Sequence, residues 1–432
     1  MFCERLYRNF YHYRSILLEL YFGPDPSTMI GRTLRPRPPM EKPLPYTSSP
    51  WKLLQEDIQL VFRNLWALPR LLSPLKVRNG DDLNELHPSL SNIKNLAFQA
   101  LISSIQILFL ISIPICFLCM VPFPWVTIYV GWFLWANKEV CDAVLNGERA
   151  LLVSNYPQQQ PLEHVKEHWI FINGIACGHT WLQMNLDRLG YTFNRKVTGL
   201  HNPSTGLVFD VIQCLIQRCF SYPTQDVRDA YALVRASLTK NEFEKVVLIV
   251  HSQGGIEAGL IADWLYDELP QQDLRKLEIY TFGNAANHFN NPVRTFASKE
   301  PGEKDHSPII YIEHFVNDGD FVGLWGVLNF AQVPNRFAGK IFVHQGSGHL
   351  FNQHYLATMF PLGRDRRVVD TSPFIETTVD NPDIFEDGAI VDNEVKDNIQ
   401  PRLKVRRLSR LWQYRNGGSP REPHFMVRDY PL

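Results

Sequence analysis

Lys245-Val246-Val247-Leu248-Ile249-Val250-His251-Ser252-Gln253-Gly254-Gly255-Ile256 changes texture at its middle. The first six residues form a β-branched, apolar run suited to a strand buried on both faces. From Ile256 onward the apolar residues Ile256, Leu260, Ile261, Trp264 and Leu265 recur at helical spacing. Ser252 therefore falls on a sharp strand-to-helix turn, which lifts a hydroxyl out of the sheet, while Gly254 and Gly255 let strand and helix approach closely. The G-x-S-x-G pattern for such a turn has glycine two residues before the serine, where this chain has Val250. Small residues on the following helix, such as Ala258 and Gly259, are expected to make room for it.

Around this stretch, short apolar runs alternate with helical patterns. Strands are expected at His168–Ile172, Lys196–Leu200, Lys245–Val250, Leu277–Phe282, Ile309–Phe315 and Lys340–Val343, with helices at 207–219, 225–239, 255–268 and 350–360. Strand-helix-strand alternation implies an α/β domain with a mostly parallel sheet flanked by helices. The helical segment 207–240 could also cover the site as a lid.

A serine nucleophile needs a base, an acid that orients the base, and two N–H groups for the developing oxyanion, and in this type of domain the three side chains follow in the order serine, acid, histidine. Tyr311 to Val322 supplies a late strand followed by Asp318 and Asp320. Asp320 is the preferred acid because its Asp-Phe-Val resembles the D-x-V that follows the corresponding strand in related lipases; Asp318 stays a second choice, with an Asn-Asp-Gly turn as its structural alternative. Ile341-Phe-Val-His-Gln-Gly-Ser-Gly-His349 then gives a strand, a flexible loop and a histidine, so His349 is the expected base, with His344 and His354 assigned to packing. Gln253 offers the first oxyanion N–H. Ile175, after the early strand ending Asn173-Gly174, offers the second. Cys177 has no comparable turn and is read as packing.

These segments, with Tyr-Thr-Phe-Gly-Asn-Ala-Ala-Asn at 280–287 and Ser-Gly-His-Leu at 347–350, resemble the α/β-hydrolase superfamily, nearest to the lipase-like hydrolases of fungi, over roughly residues 160–362. The resemblance implies an α/β-hydrolase fold and hydrolysis of a carboxylic ester, commonly lipid-derived, with no cofactor. Thioester or amide cleavage would use the same machinery. A histidine base of ordinary pKa predicts activity that fails below about pH 6.5. The contrasting expectation, left open by Val250, is a catalytically silent hydrolase fold serving as a membrane-anchored binding or scaffold protein.

Outside the hydrolase-like region, Ala97 to Ala136 carries no charged residue. Leu101–Val121 alone is long enough, at about 1.5 Å per residue, to cross a hydrocarbon core of about 30 Å. Pro122 and Pro124 interrupt the run, and Trp125, Tyr129, Trp132 and Trp135 crowd its second half. A single span and a hairpin returning to one face both fit. Basic residues before the run (Arg63, Arg70, Lys76, Arg78, Lys94) place its N-terminal side in the cytosol by the positive-inside rule, and the lack of an N-x-S/T acceptor favours a cytosolic catalytic domain, hence the hairpin. The expected organisation is an N-terminal arm with an amphipathic helix (1–95), a membrane segment (96–137), an α/β-hydrolase domain (138–365) and a charged, disordered tail (366–432). Within the arm, Trp51, Leu54, Ile58, Val61, Phe62, Leu65 and Trp66 form one apolar stripe that would lie on a membrane or pack on the core, with Pro69 ending the helix. With 43 basic against 44 acidic residues, no global field attracts nucleic acid. The seven cysteines lack the spacing and neighbouring histidines of a zinc site, so no metal is expected and the partners are a lipid or small ester and the membrane.

Overall fold

The computed structural model describes residues 33–34, 49–75, 81–147, 151–292, 307–333, 336–379 and 403–420. Most of the proline-rich arm and the acidic stretch 380–402 lie outside them. In chain order the main elements are β1 (Thr33–Leu34), α1 (Pro50–Arg63), α2 (Leu90–Leu118), α3 (Phe123–Cys141), β2 (Leu151–Val153), β3 (Glu167–Ile172), α4 (His179–Phe193), β4 (Val197–Leu200), α5 (Leu207–Phe220), α6 (Gln225–Thr239), β5 (Lys245–His251), α7 (Gly254–Glu268), β6 (Leu277–Phe282), β7 (Tyr311–Asn317) and β8 (Lys340–His344).

The eight strands form one sheet in the order β1-β8-β7-β6-β5-β3-β4-β2. From β8 to β4 every pairing is parallel, and β1 and β2 close the two edges in antiparallel fashion. All six expected strands form, with ends shifted by up to two residues. The chain winds from β3 outward to β4, then returns to place β5 on the other side of β3. Such a reversal opens a crevice at the carboxyl ends of the two adjacent strands. The loops after β3 and β5 meet there.

Alternation along the central strands sends side chains into two cores. Ile170, Ile172, Val246, Leu248 and Val250 face the layer containing α6 and α7. Trp169, Phe171, Val247 and Ile249 face α4 and, unexpectedly, Leu411, Trp412 and Tyr414. The expected disordered tail is therefore corrected for its described residues, 366–379 and 403–420, whose Phe374, Ile375, Leu411 and Trp412 lie in the core. Arg410 pairs with the buried Glu278 of β6 (Nη2 to Oε1, 2.8 Å), and the N–H groups of Arg410 and Leu411 donate to Glu313 of β7 at 2.7 and 3.2 Å. Charge that reads as disorder in sequence here closes a buried ion pair.

The apolar run also has a defined shape. Gln106 donates to Asn137 (2.9 Å), Phe109 stacks on Phe133 with centroids 3.8 Å apart, and Ser112 and Tyr129 share a hydrogen bond of 2.8 Å. Rising numbers on α2 meet falling numbers on α3, so the two helices form an antiparallel hairpin, broken where Pro122 opens α3. Pro114 is accommodated inside α2. An 18-residue window of α2 has a mean hydropathy of 2.4 and is only 17% buried, which makes this helix long and apolar enough to cross a membrane.

Only part of the apolar stripe of α1 meets the core, through Val61, and most of it faces outward. Leu53, Asp57 and Leu60 are buried, whereas Trp51 is 72% and Phe62 68% exposed. Pro69 does not end a continuous α-helix: α1 stops at Arg63, and a 3₁₀ segment, Leu65–Leu72, runs through the proline.

Candidate active site

Ser252 sits directly after β5 with φ of +57°, a left-handed conformation that costs a non-glycine residue about 1–3 kcal/mol. Three backbone hydrogen bonds impose it. The Ser252 N–H donates to Phe282 O (3.0 Å), and its carbonyl accepts from Gly255 (3.0 Å) and Ala285 (3.1 Å). The flanking glycines are sterically required. A Cβ on Gly254 would stand 2.8 Å from Ile172 O, and one on Gly255 would strike the Asn284 carboxamide. Val250 is accommodated within the α6–α7 core, in the same cluster as Ala258. Gly259 makes no room for it, because its missing Cβ faces His288 O at 3.5 Å.

Asp320 follows β7 and is fully buried. Its Oδ1 accepts from the Val322 N–H (2.9 Å), and its Oδ2 accepts from His349 Nδ1 (2.7 Å) and the Tyr355 hydroxyl (2.6 Å). Three donors satisfy the carboxylate. A carboxylate that accepts from Nδ1 fixes the tautomer, leaving the Nε2 lone pair of His349 free. That Nε2 is buried and has no hydrogen-bond partner among the described residues. Asp318 occupies the turn instead: it is exposed, and its Oδ1 caps the Gly346 N–H at 3.0 Å. His344 and His354 are engaged elsewhere, with Asn317 Oδ1 (3.0 Å) and Pro74 O (3.0 Å). Burial pushes the Cys177 thiol far above its usual range, consistent with packing.

His251, the residue before Ser252, contacts His349. Its Nε2 donates to His349 O (2.8 Å), and the two imidazoles lie 4.6 Å apart between centroids. Burial holds His251 well below the ordinary histidine range, so it remains neutral. Ser252 Oγ makes no hydrogen bond to His349 in this structure, and such contacts commonly close only when substrate binds.

The loop after β3 lies against the serine. A Cβ on Gly174 would stand 2.5 Å from Ser252 Cβ and 3.1 Å from its Oγ. Neither the Ile175 nor the Gln253 N–H is engaged by another described residue. A buried amide network fixes both carriers. Asn173 Oδ1 accepts from Asn202 N (2.9 Å), Asn202 Nδ2 donates to Gln253 Oε1 (2.8 Å) and Glu257 Oε1 (2.9 Å), and Gln253 Nε2 donates to Gln217 (2.8 Å). Glu257 is held well above the carboxylate range by burial, so it serves as a neutral member of that network.

Several site residues escape a sequence reading. Tyr355 has no local signature. Nor do the residues clasping the histidine loop, which come from the segment before α2: Leu71 O accepts the His349 N–H (2.8 Å), Ser73 O the Ser347 hydroxyl (3.0 Å), and buried Glu85 the N–H groups of Asn352 (2.8 Å) and Gln353 (2.9 Å). On the opposite side, Gln99 of α2 donates to Ala176 O (3.2 Å), and Gln106 donates to Thr205 O (2.6 Å). Glutamines inside the uncharged run from Ala97 to Ala136 were the available signal. Among the described residues no three His, Cys, Asp or Glu side chains gather as metal ligands would. No protein-family model matches the chain, and a search of curated proteins found no significant similarity.

Proposed function

We propose that the chain is a membrane-associated serine hydrolase of the α/β-hydrolase type, lipase-like, cleaving a carboxylic ester of lipid origin. What carries this reading is Ser252, held at positive φ at the mouth of the β3/β5 crevice, with the His349–Asp320 pair at the ends of β8 and β7 in the order that such enzymes use. In the proposed mechanism His349 Nε2 takes the proton of Ser252 Oγ, and the alkoxide attacks the ester carbonyl. The oxyanion rests on the Ile175 and Gln253 N–H groups, and Asp320 stabilises the imidazolium. The imidazolium then protonates the leaving alcohol, and water, activated by the same histidine, releases the acid from the acyl-enzyme. No cofactor is required. The hairpin supports a membrane location, with the catalytic domain proposed to face the cytosol from an endomembrane or lipid-droplet surface.

A second reading, a silent hydrolase fold that acts as a membrane-anchored binding or scaffold protein, is favoured by the unmade Ser252–His349 hydrogen bond. Turnover separates the two. Hydrolysis of short-chain nitrophenyl esters and of vesicle-borne acylglycerols should fall by about three orders of magnitude or more in Ser252→Ala. A folded wild-type protein that cleaves neither supports the scaffold.

A further inference from the structure

α5 is a surface helix turned inside out. Its two charged residues, Asp210 and Arg218, are buried, while Leu207, Val211, Ile212, Ile216 and Phe220 form a continuous exposed stripe. A soluble domain places such a helix the other way round. The inward charges have fixed partners: Arg218 pairs with buried Asp57 of α1 (2.6 Å), and Asp210 accepts from the Ala176 N–H (3.0 Å) and the Ser204 hydroxyl (2.6 Å). Among the described residues Leu207, Val211, Ile212 and Ile216 stay exposed along the outward stripe. It continues into α1 through Trp51, whose ring meets Phe220 edge-on at 5.4 Å.

The same helix joins the base of the hairpin. Phe209 meets Phe109 and Phe133 with centroids 6.1 and 6.2 Å apart, and Gln106 bonds to Thr205 and Val208 at the start of α5. Beyond Phe109 the residues 110–118 of α2 carry the hairpin about 14 Å past its contact with Phe209 of α5. That is nearly half of a hydrocarbon core of about 30 Å. A hairpin of that reach enters one leaflet and brings α5 to the leaflet surface.

We propose that the outer face of α5, edged by Trp51, is a bilayer-contact surface resting on the same leaflet that the hairpin enters. This rests on the membrane part of the function proposed above, and not on the chemistry of Ser252. The inner side of α5 holds both candidate oxyanion carriers, Asp210 through Ala176 and Gln217 through the Gln253 side chain. A lipid ester lying in the leaflet would thus meet the helix that braces the site.

The test uses the full chain bound to phosphatidylcholine vesicles, with a fluorescent amino acid placed at Ile212, at Met120 on the hairpin tip, or at Asp267. Asp267 is exposed near the end of α7, about 20 Å along that helix from Ser252. Lipids carry a doxyl quencher near the headgroup or near the acyl terminus. Shallow doxyl should quench position 212 at least about twofold, deep doxyl should quench 120, and neither should quench 267. Quenching at 120 with none at 212 overturns the α5 surface and leaves the hairpin insertion standing. No quenching at either position overturns the membrane location and the proposal together.

Discussion

Replacing Glu85 by Gln tests whether the segment ahead of the hairpin holds the catalytic histidine in place. Both Glu85 oxygens accept backbone N–H groups from the residues three and four positions beyond His349, at 2.8 and 2.9 Å, and the side chain is buried. Burial raises its pKa, and the two N–H donors, Asn352 first, oppose that rise. A glutamine keeps the shape but offers one acceptor, so its amide NH₂ must face one of the two N–H groups. Losing a hydrogen bond of this type costs about 1.5–3 kcal/mol, or roughly 10- to 150-fold in the ratio of clasped to unclasped loop. His349 shares that loop and donates its own N–H to Leu71 O. The rate of covalent labelling by a fluorophosphonate is therefore expected to fall at least about tenfold in Glu85→Gln, measured at a temperature where circular dichroism shows both proteins folded. A labelling rate within about twofold of wild type, with an unchanged unfolding temperature, would refute the clasp.

Three further outcomes follow from the same geometry. Gly174→Ala places a methyl 2.5 Å from Ser252 Cβ, so ester turnover should drop about 100-fold for a stability loss of about 1–3 kcal/mol; wild-type kcat would show that the loop is not packed on the serine. Tyr355→Phe removes a donor from Asp320 Oδ2 and should lower kcat about tenfold or more, read against an unchanged value as the contrary result. His314, buried between Thr281 and the Ala338 carbonyl, is pushed down to about 4 by burial. The unfolded chain takes up that proton below about pH 6.5 and the folded chain only near 4, so the stability from keeping His314 neutral is full above 6.5 and lost as pH falls toward 4. Urea unfolding should accordingly show the gap between wild type and His314→Gln narrowing by on the order of 3 kcal/mol from about pH 7 to 4; parallel pH curves would exclude that linkage.

The parallel sheet was legible in the sequence because Val246–Val250 of β5 is apolar on both faces and the short runs of β6 and β7 alternate with helical patterns. Ser252, Asp320 and His349 could be located from their order after those strands, and the structure brings Asp320 to His349 and the Gly174 loop to Ser252. Periodicity does not state direction, however. The stripe on α1 was visible, yet Asp57 faces inward to meet Arg218, a partner 161 residues away. The C-terminal basic run hid its burial for the same reason, since Arg410 and Glu278 neutralise each other only in three dimensions. The histidine clasp is built largely from backbone carbonyls of residues 71–75 and 83, which no residue type announces.

The most direct measurement is the mass of the intact protein after fluorophosphonate treatment, followed by peptide mapping of the adduct. A serine hydrolase built on this site acquires one phosphonyl group, carried by Ser252, and the label is lost in Ser252→Ala and strongly slowed in His349→Ala. A folded wild-type chain that takes up no label, or one whose adduct maps to a residue other than Ser252, would contradict the proposed chemistry.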